Sequence, residues 1–172
     1  MRKIFVGSMM AIGAVSAARA AVIEFNFPID AAQEIPAPSI LPGTNPSGTG
    51  FISVNTDTNE LFYSIVYTDL SGDIVAPGAH LHGPAGPGST AGVFLFLAGG
   101  TSDIPLPQPP SGFFNGVATI TDLQESWILG GLAYVNIHTA RNQAGEIRGQ
   151  VVPEPATFGL LAMSGLALLR RR

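Results

Sequence analysis

The stretch from Phe51 to Tyr67, FISVNTDTNELFYSIVY, decides the fold class of this chain. Two runs rich in aromatic and β-branched residues flank the polar tetrapeptide Thr56-Asp57-Thr58-Asn59. Aromatic and β-branched residues fit the pleated surface of a strand, whereas Asp and Asn are common in turns. The stretch therefore predicts a β-hairpin that turns over residues 56–59.

Similar short runs recur on both sides of this hairpin, separated by Gly, Pro, Asn and Asp. Several short strands at this spacing are typical of an antiparallel β-sandwich or barrel, so we predict an all-β domain. The predicted strands cover residues 22–27, 50–55, 61–67, 79–82, 93–97, 113–120, 132–138 and 146–152. Two proline-rich segments, residues 36–47 and 98–112, are expected to form surface loops.

One short helix is predicted between the strands at residues 113–120 and 132–138. Thr121 is expected to cap its N-terminus, and Gln124 is expected to complete a capping box. Leu123 and Trp127 are expected to face the core, and the pair Gly130-Gly131 is expected to end the helix.

The charge of the chain is unevenly distributed. Residues 21–152 contain eleven acidic residues, two arginines and no lysine, which gives this stretch a net charge of −9. A surface of this charge repels phosphate backbones, so nucleic-acid binding is excluded. The chain has no cysteine, so no disulfide supports the fold.

The first twenty residues have the three parts of a secretory signal peptide. The basic pair Arg2-Lys3 is followed by an apolar run of twelve residues, which is too short to span a bilayer, and then by small residues at the cleavage positions. The residues expected to define the cleavage site are Ala18, Ala20 and Ala21. We therefore expect the chain to be exported across the inner membrane of a bacterium and to be cleaved by signal peptidase.

The C-terminal segment has three consecutive parts that resemble a PEP-CTERM sorting signal of Gram-negative bacteria. The motif Pro153-Glu154-Pro155 is followed by the uncharged run ATFGLLAMSGLALL at residues 156–169. The chain then ends in a basic cluster, which consists of Arg170, Arg171 and Arg172. The resemblance implies cleavage near the Pro-Glu-Pro motif by an exosortase-type protease and delivery to the cell surface or the extracellular matrix of biofilm-forming organisms.

The positive-inside rule keeps the terminal arginine cluster in the cytoplasm and leaves residues 21–152 outside. The apolar run of fourteen residues is expected to form a helix of about 21 Å. Because the hydrocarbon core of a bilayer is about 30 Å thick, we expect a weak, transient anchor that is removed. A permanent tail anchor is the alternative. The all-β domain is thus expected between an N-terminal signal helix and a C-terminal apolar helix, with boundaries at residues 1–20, 21–152 and 153–172.

Residues 29–151 resemble the CHRD domain, a family first described in chordin and widespread in bacterial secreted proteins. The segments that carry the resemblance are AQEIP (32–36), LFY (61–63) with YTDL (67–70), AHLHGPA (79–85), and YVNIHT (134–139) with GEIRGQ (145–150). The resemblance implies an immunoglobulin-like β fold and supplies no biochemical activity for bacterial members.

All three histidines of the chain fall within the two most specific of these segments. If residues 79–82 form a strand, His80 and His82 lie on one face, about 6–7 Å apart, and His138 is a candidate third ligand. Three neutral imidazoles suit Cu²⁺ or Zn²⁺ and leave one position open. Glu146 or Asp69 is a candidate to join the ligands or to support them by hydrogen bonds to the ligating histidines.

The alternative is that the histidines are structural. His80 and His82 would then hydrogen-bond the loop backbone around Gly83-Pro84, and His138 would pack against Asn136 and Thr139. Glu146 and Arg148 are expected to form a structural ion pair, because they lie two residues apart in a predicted strand.

The sequence contains no phosphate-binding glycine loop, no Gly-x-Ser-x-Gly motif and no cysteine nucleophile. We therefore expect a non-enzymatic module of the cell surface or extracellular matrix, whose partners are exopolysaccharide or matrix proteins. The alternative is a mononuclear copper- or zinc-binding secreted protein. A glycan-binding module is a third hypothesis, for which the available aromatic residues are Tyr63, Tyr67, Phe113, Phe114 and Trp127.

Overall fold

The computed structural model describes residues 21–152, which form one eight-stranded antiparallel sheet with a short helix. The predicted signal peptide and sorting segment lie outside the described residues. The strands are β1 (Val22–Asp30), β2 (Ser47–Asn55), β3 (Glu60–Thr68), β4 (Ile74–His82), β5 (Val93–Ala98), β6 (Gly112–Thr119), β7 (Ala133–Thr139) and β8 (Ile147–Val151). A 3-10 turn (Ala31–Gln33) follows β1, and helix α1 (Asp122–Leu129) precedes β7. The prediction of an all-β domain with one short helix is confirmed.

The strands follow the order β5-β4-β7-β8-β1-β2-β3-β6 across the sheet. The sheet curls until its two edge strands approach each other, and a cavity of about 220 Å³ is lined by residues of both β5 and β6. The hydroxyl of Tyr63 on β3 donates to the backbone carbonyl of Leu97 on β5, at 3.0 Å. This hydrogen bond links the edge strand β5 to β3, the neighbour of the other edge strand, in a sheet that is nearly closed into a barrel.

The apolar core fills the inside of this curved sheet. Every second residue is buried along β3 and, in β1, from Phe25 to Ile29, as the two-residue period of a strand requires. The predicted hairpin is confirmed, with Phe51 paired to Ser64 and Asn55 paired to Glu60. The inward-facing residues of these strands and β2 include Phe25, Phe27, Ile29, Ile52, Val54, Leu61, Tyr63, Ile65 and Tyr67.

Strands β7 and β8 differ from the hairpin because all of their residues are buried. One face carries apolar side chains that join the core. The other face carries polar side chains. Together with two histidines of β4 and a nearby glutamate, these side chains form a group that we name the polar layer. Its members are His80, His82, Tyr134, Asn136, His138, Arg148, Gln150 and Glu34. The sheet therefore separates an apolar core from a second, polar interior.

Helix α1 has the predicted capping box. The Thr121 hydroxyl accepts from the Gln124 backbone nitrogen, and the Gln124 side chain accepts from the Thr121 nitrogen. The expectation that Leu123 faces the core is wrong, since Leu123 is 60% exposed and Ile128 is buried instead. The packed side of this helix is thus centred one residue later than expected. Within residues 21–152, no helix is long and apolar enough to cross a membrane.

The two tyrosines of β3 that face the core provide a matched test of barrel closure. Tyr63→Phe removes the donor to Leu97 and should lower the free energy of unfolding by about 1–2 kcal/mol, because the Leu97 carbonyl loses its partner. The buried Tyr67 hydroxyl has no hydrogen-bond partner, so Tyr67→Phe should leave stability unchanged or raise it. Urea denaturation of the two variants checks this, and equal losses would contradict the role given to Tyr63.

Candidate metal centre

The period of strand β4 places its two histidines on the polar layer. Ala79 and Leu81 point into the apolar core. Because side chains alternate along a strand, His80 and His82 point to the opposite face. In the antiparallel pairing with β7, His80 lies opposite Asn136 and His82 lies opposite Tyr134. His138 is two residues beyond Asn136 and therefore projects from the same face of the sheet.

This arrangement brings the three histidines together. Each has one ring nitrogen that lies within 4.8 Å of a ring nitrogen of the other two. The centroid of the His80 ring is 5.5 Å from that of the His82 ring and 4.9 Å from that of the His138 ring. All three side chains are buried. The structure thus places the three predicted ligand residues in one cluster, which we call the histidine cluster.

One nitrogen of each ring hydrogen-bonds a backbone carbonyl. His80 Nε2 is 2.8 Å from the Pro77 oxygen, His82 Nδ1 is 3.0 Å from that of Ala91, and His138 Nδ1 is 2.9 Å from that of Gln143. A carbonyl only accepts, so each of these nitrogens carries the proton. The lone pair of each neutral ring is therefore on its other nitrogen.

The nitrogens that hold these lone pairs have no hydrogen-bond partner and are buried. They are His80 Nδ1, His82 Nε2 and His138 Nε2. Histidines that bind metals show the same division, with one nitrogen donating to a carbonyl or carboxylate and the other facing the ion. The backbone hydrogen bonds of the structural interpretation are present, although their acceptors are different from those expected, and they use only one nitrogen of each ring.

The electrostatics keep the histidine cluster neutral. Burial, together with the neighbouring His138 and His82, lowers the pKa of His80 to about 4, although the hydrogen bond to Pro77 raises it. Burial and the charge of Arg148 lower the pKa of His82. Burial and the neighbouring His82 lower the pKa of His138. At neutral pH the rings are therefore unprotonated, which is the form that binds a metal.

Aromatic rings and a guanidinium surround the histidine cluster. The Tyr134 ring stacks on His82 at a centroid distance of 4.8 Å and an angle of 7°. The Phe96 ring meets His80 edge-on, with the centroids 4.7 Å apart. The guanidinium carbon of Arg148 lies 3.5 Å from the centroid of the Tyr134 ring, close enough for a cation–π interaction.

The expected ion pair between Glu146 and Arg148 is wrong. Arg148 donates to the backbone carbonyls of Ser89 and Gly86 and to the Gln150 side chain, at 2.8, 3.3 and 3.0 Å. Glu146 precedes β8 and accepts from residues of the neighbouring loops. Its donors are the Ser71 nitrogen, the Asn142 amide and the Thr139 hydroxyl. Arg148 instead ties the loop between β4 and β5 over the polar layer.

The two carboxylates predicted to support the metal ligands have other partners. Glu146 is fully buried within the loop network described above. Asp69 is exposed, and its carboxylate accepts from the Asn45 nitrogen. The backbone carbonyls of Pro77, Ala91 and Gln143 hold the histidine rings in their place. No sequence pattern identifies such carbonyls, because every residue has one.

Tyr134 and Phe96 were not among the predicted site residues. Tyr134 could have been identified by the two-residue period, since it precedes His138 by four residues in the same predicted strand. The aromatic residues considered for glycan binding are not brought together, because Tyr63, Tyr67 and Phe114 are buried in the core while Phe113 is 67% exposed. Trp127 packs against Phe94, with the ring centroids 5.7 Å apart.

The fold and the site define a class of small β domain, in which one nearly closed antiparallel sheet buries a histidine cluster outside its apolar core. Residues 25–151 match the CHRD domain family, and this match covers more than half of the chain. The chain belongs to the CHRD domain family, which indicates an extracellular or secreted protein. It matches no curated protein and no solved structure.

The lowered pKa values of the histidines give the metal-free protein a specific pH dependence. The unfolded chain takes up protons on histidine below about pH 6.5, whereas folded His80 does so only near its pKa of about 4. Stability should therefore be fully present above pH 6.5 and should fall as the pH is lowered towards 4. Urea denaturation with a chelator present, at a series of pH values, measures this.

The variant His80→Gln should show a shallower fall over the same interval, because it lacks one of the titrating groups. Burial raises the pKa of Glu34, so this carboxyl group makes the protein more stable as the pH falls, opposite to the histidines. This contribution is the same in the variant and in the unaltered protein. An identical pH dependence in the two proteins would show that His80 does not titrate as described.

Proposed function

We propose that this protein is an exported, non-enzymatic β domain whose histidine cluster binds one copper or zinc ion. The observation that carries the proposal is the convergence of three buried histidines, each of which has one ring nitrogen without a hydrogen-bond partner. His80, His82 and His138 would each supply one nitrogen to the ion. Their second nitrogens would remain on the backbone carbonyls that orient the rings.

Energetics favour a metal over a purely structural role. A structural histidine needs a partner for each buried nitrogen, and each unsatisfied buried polar atom costs about 1–3 kcal/mol. The histidine cluster has three such atoms, one on each ring. A metal ion would satisfy all three at once, whereas no hydrogen bond between them is available, because each of the three nitrogens is an acceptor.

The geometry requires a small contraction. Nitrogens bound at about 2.0–2.1 Å around one tetrahedral ion stand about 3.4 Å apart. The ring nitrogens of the histidine cluster lie up to 4.8 Å apart, so the rings would tilt towards each other on binding. The backbone hydrogen bonds act as pivots for this movement, because they hold the opposite side of each ring.

The proposed setting is the cell surface or the extracellular matrix of a Gram-negative bacterium. Membership of the CHRD domain family and the signal-like first twenty residues support export. The Pro153-Glu154-Pro155 motif, the apolar run and the terminal arginines support sorting by an exosortase-type protease after a transient stay in the inner membrane. Exopolysaccharide or matrix proteins would be the extracellular partners, and the net charge of −9 over residues 21–152 keeps the domain soluble there.

Metal analysis of purified protein tests the metal proposal. The unaltered protein should retain about one copper or zinc ion per chain, and the double variant His80→Ala/His82→Ala should retain none. Asp69→Asn is the matched control, because Asp69 is exposed and hydrogen-bonds Asn45. This control should keep its metal. Equal metal contents in the double variant and the unaltered protein would refute the site.

Mass spectrometry of the extracellular fraction tests the sorting proposal. The secreted protein should begin at Ala21 and should lack the segment that follows the Pro153-Glu154-Pro155 motif. Replacing this motif by Ala-Ala-Ala should leave the protein unprocessed and associated with the membrane. Recovery of extracellular protein that ends in Arg172 would contradict the proposed cleavage.

A further inference from the structure

The charge balance of the histidine cluster identifies the kind of ion that it would hold. This inference rests on the proposed metal-binding function. The three ligands are neutral imidazoles, and two nearby buried carboxylates bind other groups. Glu34 accepts from the Ile35 nitrogen and the Asn136 amide through Oε1, and its Oε2 is buried without a partner. Glu146 accepts from Ser71, Thr139 and Asn142. Among the described residues, the group that could hold the ion consists of the three histidines and includes no carboxylate, so no anionic ligand compensates the charge of the ion.

Burial makes this missing compensation costly for a divalent ion. His80, His82 and His138 are 1%, 8% and 6% exposed, and their free nitrogens are sealed from solvent. The cost of placing a charge in a medium of low polarity grows with the square of the charge. A divalent ion therefore costs about four times as much to desolvate as a monovalent ion of the same size.

Arg148 adds to this penalty. The residue is 1% exposed, and its guanidinium lies over the Tyr134 ring, which in turn stacks on His82. The Tyr134 ring thus lies between this permanent positive charge and the ligand His82. It repels a second positive charge in the histidine cluster, and the repulsion is twice as large for a divalent ion as for a monovalent one.

The number of ligands points in the same direction. Zn²⁺ in proteins takes four ligands, usually with water in the position that the protein leaves open. The hydrocarbon edge of Phe96 and the face of Tyr134 pack directly on the histidine rings, where neither ring offers a ligand. A monovalent copper ion is satisfied by three nitrogen ligands in a plane and needs no fourth.

We propose that the histidine cluster is a three-coordinate Cu⁺ site that discriminates against Zn²⁺ and Cu²⁺, because it supplies three neutral donors in a buried, positively biased environment. The ligand is the metal ion itself, delivered in its reduced form. No electron transfer is required for binding.

Competition titrations with the purified protein test the preference. A chromophoric Cu⁺ chelator under anaerobic, reducing conditions measures the affinity for Cu⁺, and chromophoric Zn²⁺ and Cu²⁺ chelators measure the other two. The protein should bind one Cu⁺ per chain at least about 1,000-fold more tightly than Zn²⁺, and more tightly than Cu²⁺. X-ray absorption of the Cu⁺ form should show three nitrogen neighbours.

A pair of substitutions at Phe96 tests the charge argument without altering a ligand. Phe96→Glu places a carboxylate beside His80, and Phe96→Gln places a neutral group of the same size there. The Glu variant should bind Zn²⁺ at least about tenfold more tightly than the Gln variant, since the added anion balances the divalent charge. Affinity for Cu⁺ should differ less between the two.

The outcomes separate the two proposals. Tight Zn²⁺ or Cu²⁺ binding that equals or exceeds Cu⁺ binding would overturn the Cu⁺ assignment and leave the metal function standing. Equal Zn²⁺ affinities in the two Phe96 variants would overturn the charge argument. Failure of all three ions to bind the unaltered protein would overturn the proposed metal function itself.

Discussion

The pairing register between β4 and β7 is the constraint on which both interiors of this domain depend. With His80 opposite Asn136 and Leu81 opposite Val135, the two strands send apolar side chains to the core and polar side chains to the other face. Side chains alternate along a strand, so a slip of one residue would exchange the two sets. It would bury the histidines in the core and expose Leu81 to the polar layer.

The polar layer is stabilised by side chains that bind the backbone of the covering loops. Gln150 donates to the carbonyls of Ala85 and Gly131, at 2.8 and 2.9 Å, and Arg148 donates to those of Gly86 and Ser89. Buried polar groups require such partners. The histidine cluster departs from this rule, because half of its ring nitrogens have none. Glu34 Oε2 and Asn136 Oδ1 in the same layer also lack a partner, but only the histidines converge in a group that could hold a metal ion. Unpartnered groups that converge in this way are typical of a binding site.

Local patterns predicted the elements whose causes are local. The hairpin around residues 56–59 follows from strand-forming runs beside a polar turn, and the capping box of α1 follows from the spacing of Thr121 and Gln124. The same reasoning failed for Leu123, because the rotation of a short helix is set by the surface that it packs against. It failed for Arg148 as well, since β8 starts after Glu146 and the two side chains enter different networks.

The sequence by itself determined the all-β class, the acidic charge of residues 21–152, the family and the three residues of the histidine cluster. These properties are carried by composition, by the two-residue period and by short motifs. Only the tertiary structure decided which nitrogen of each ring is free, which carbonyls hold the rings, and that Arg148, Tyr134 and Phe96 surround them. The physical reason is that these contacts join β4, β5, β7, β8 and their loops. A contact between segments that are distant in sequence exists only once these strands have paired.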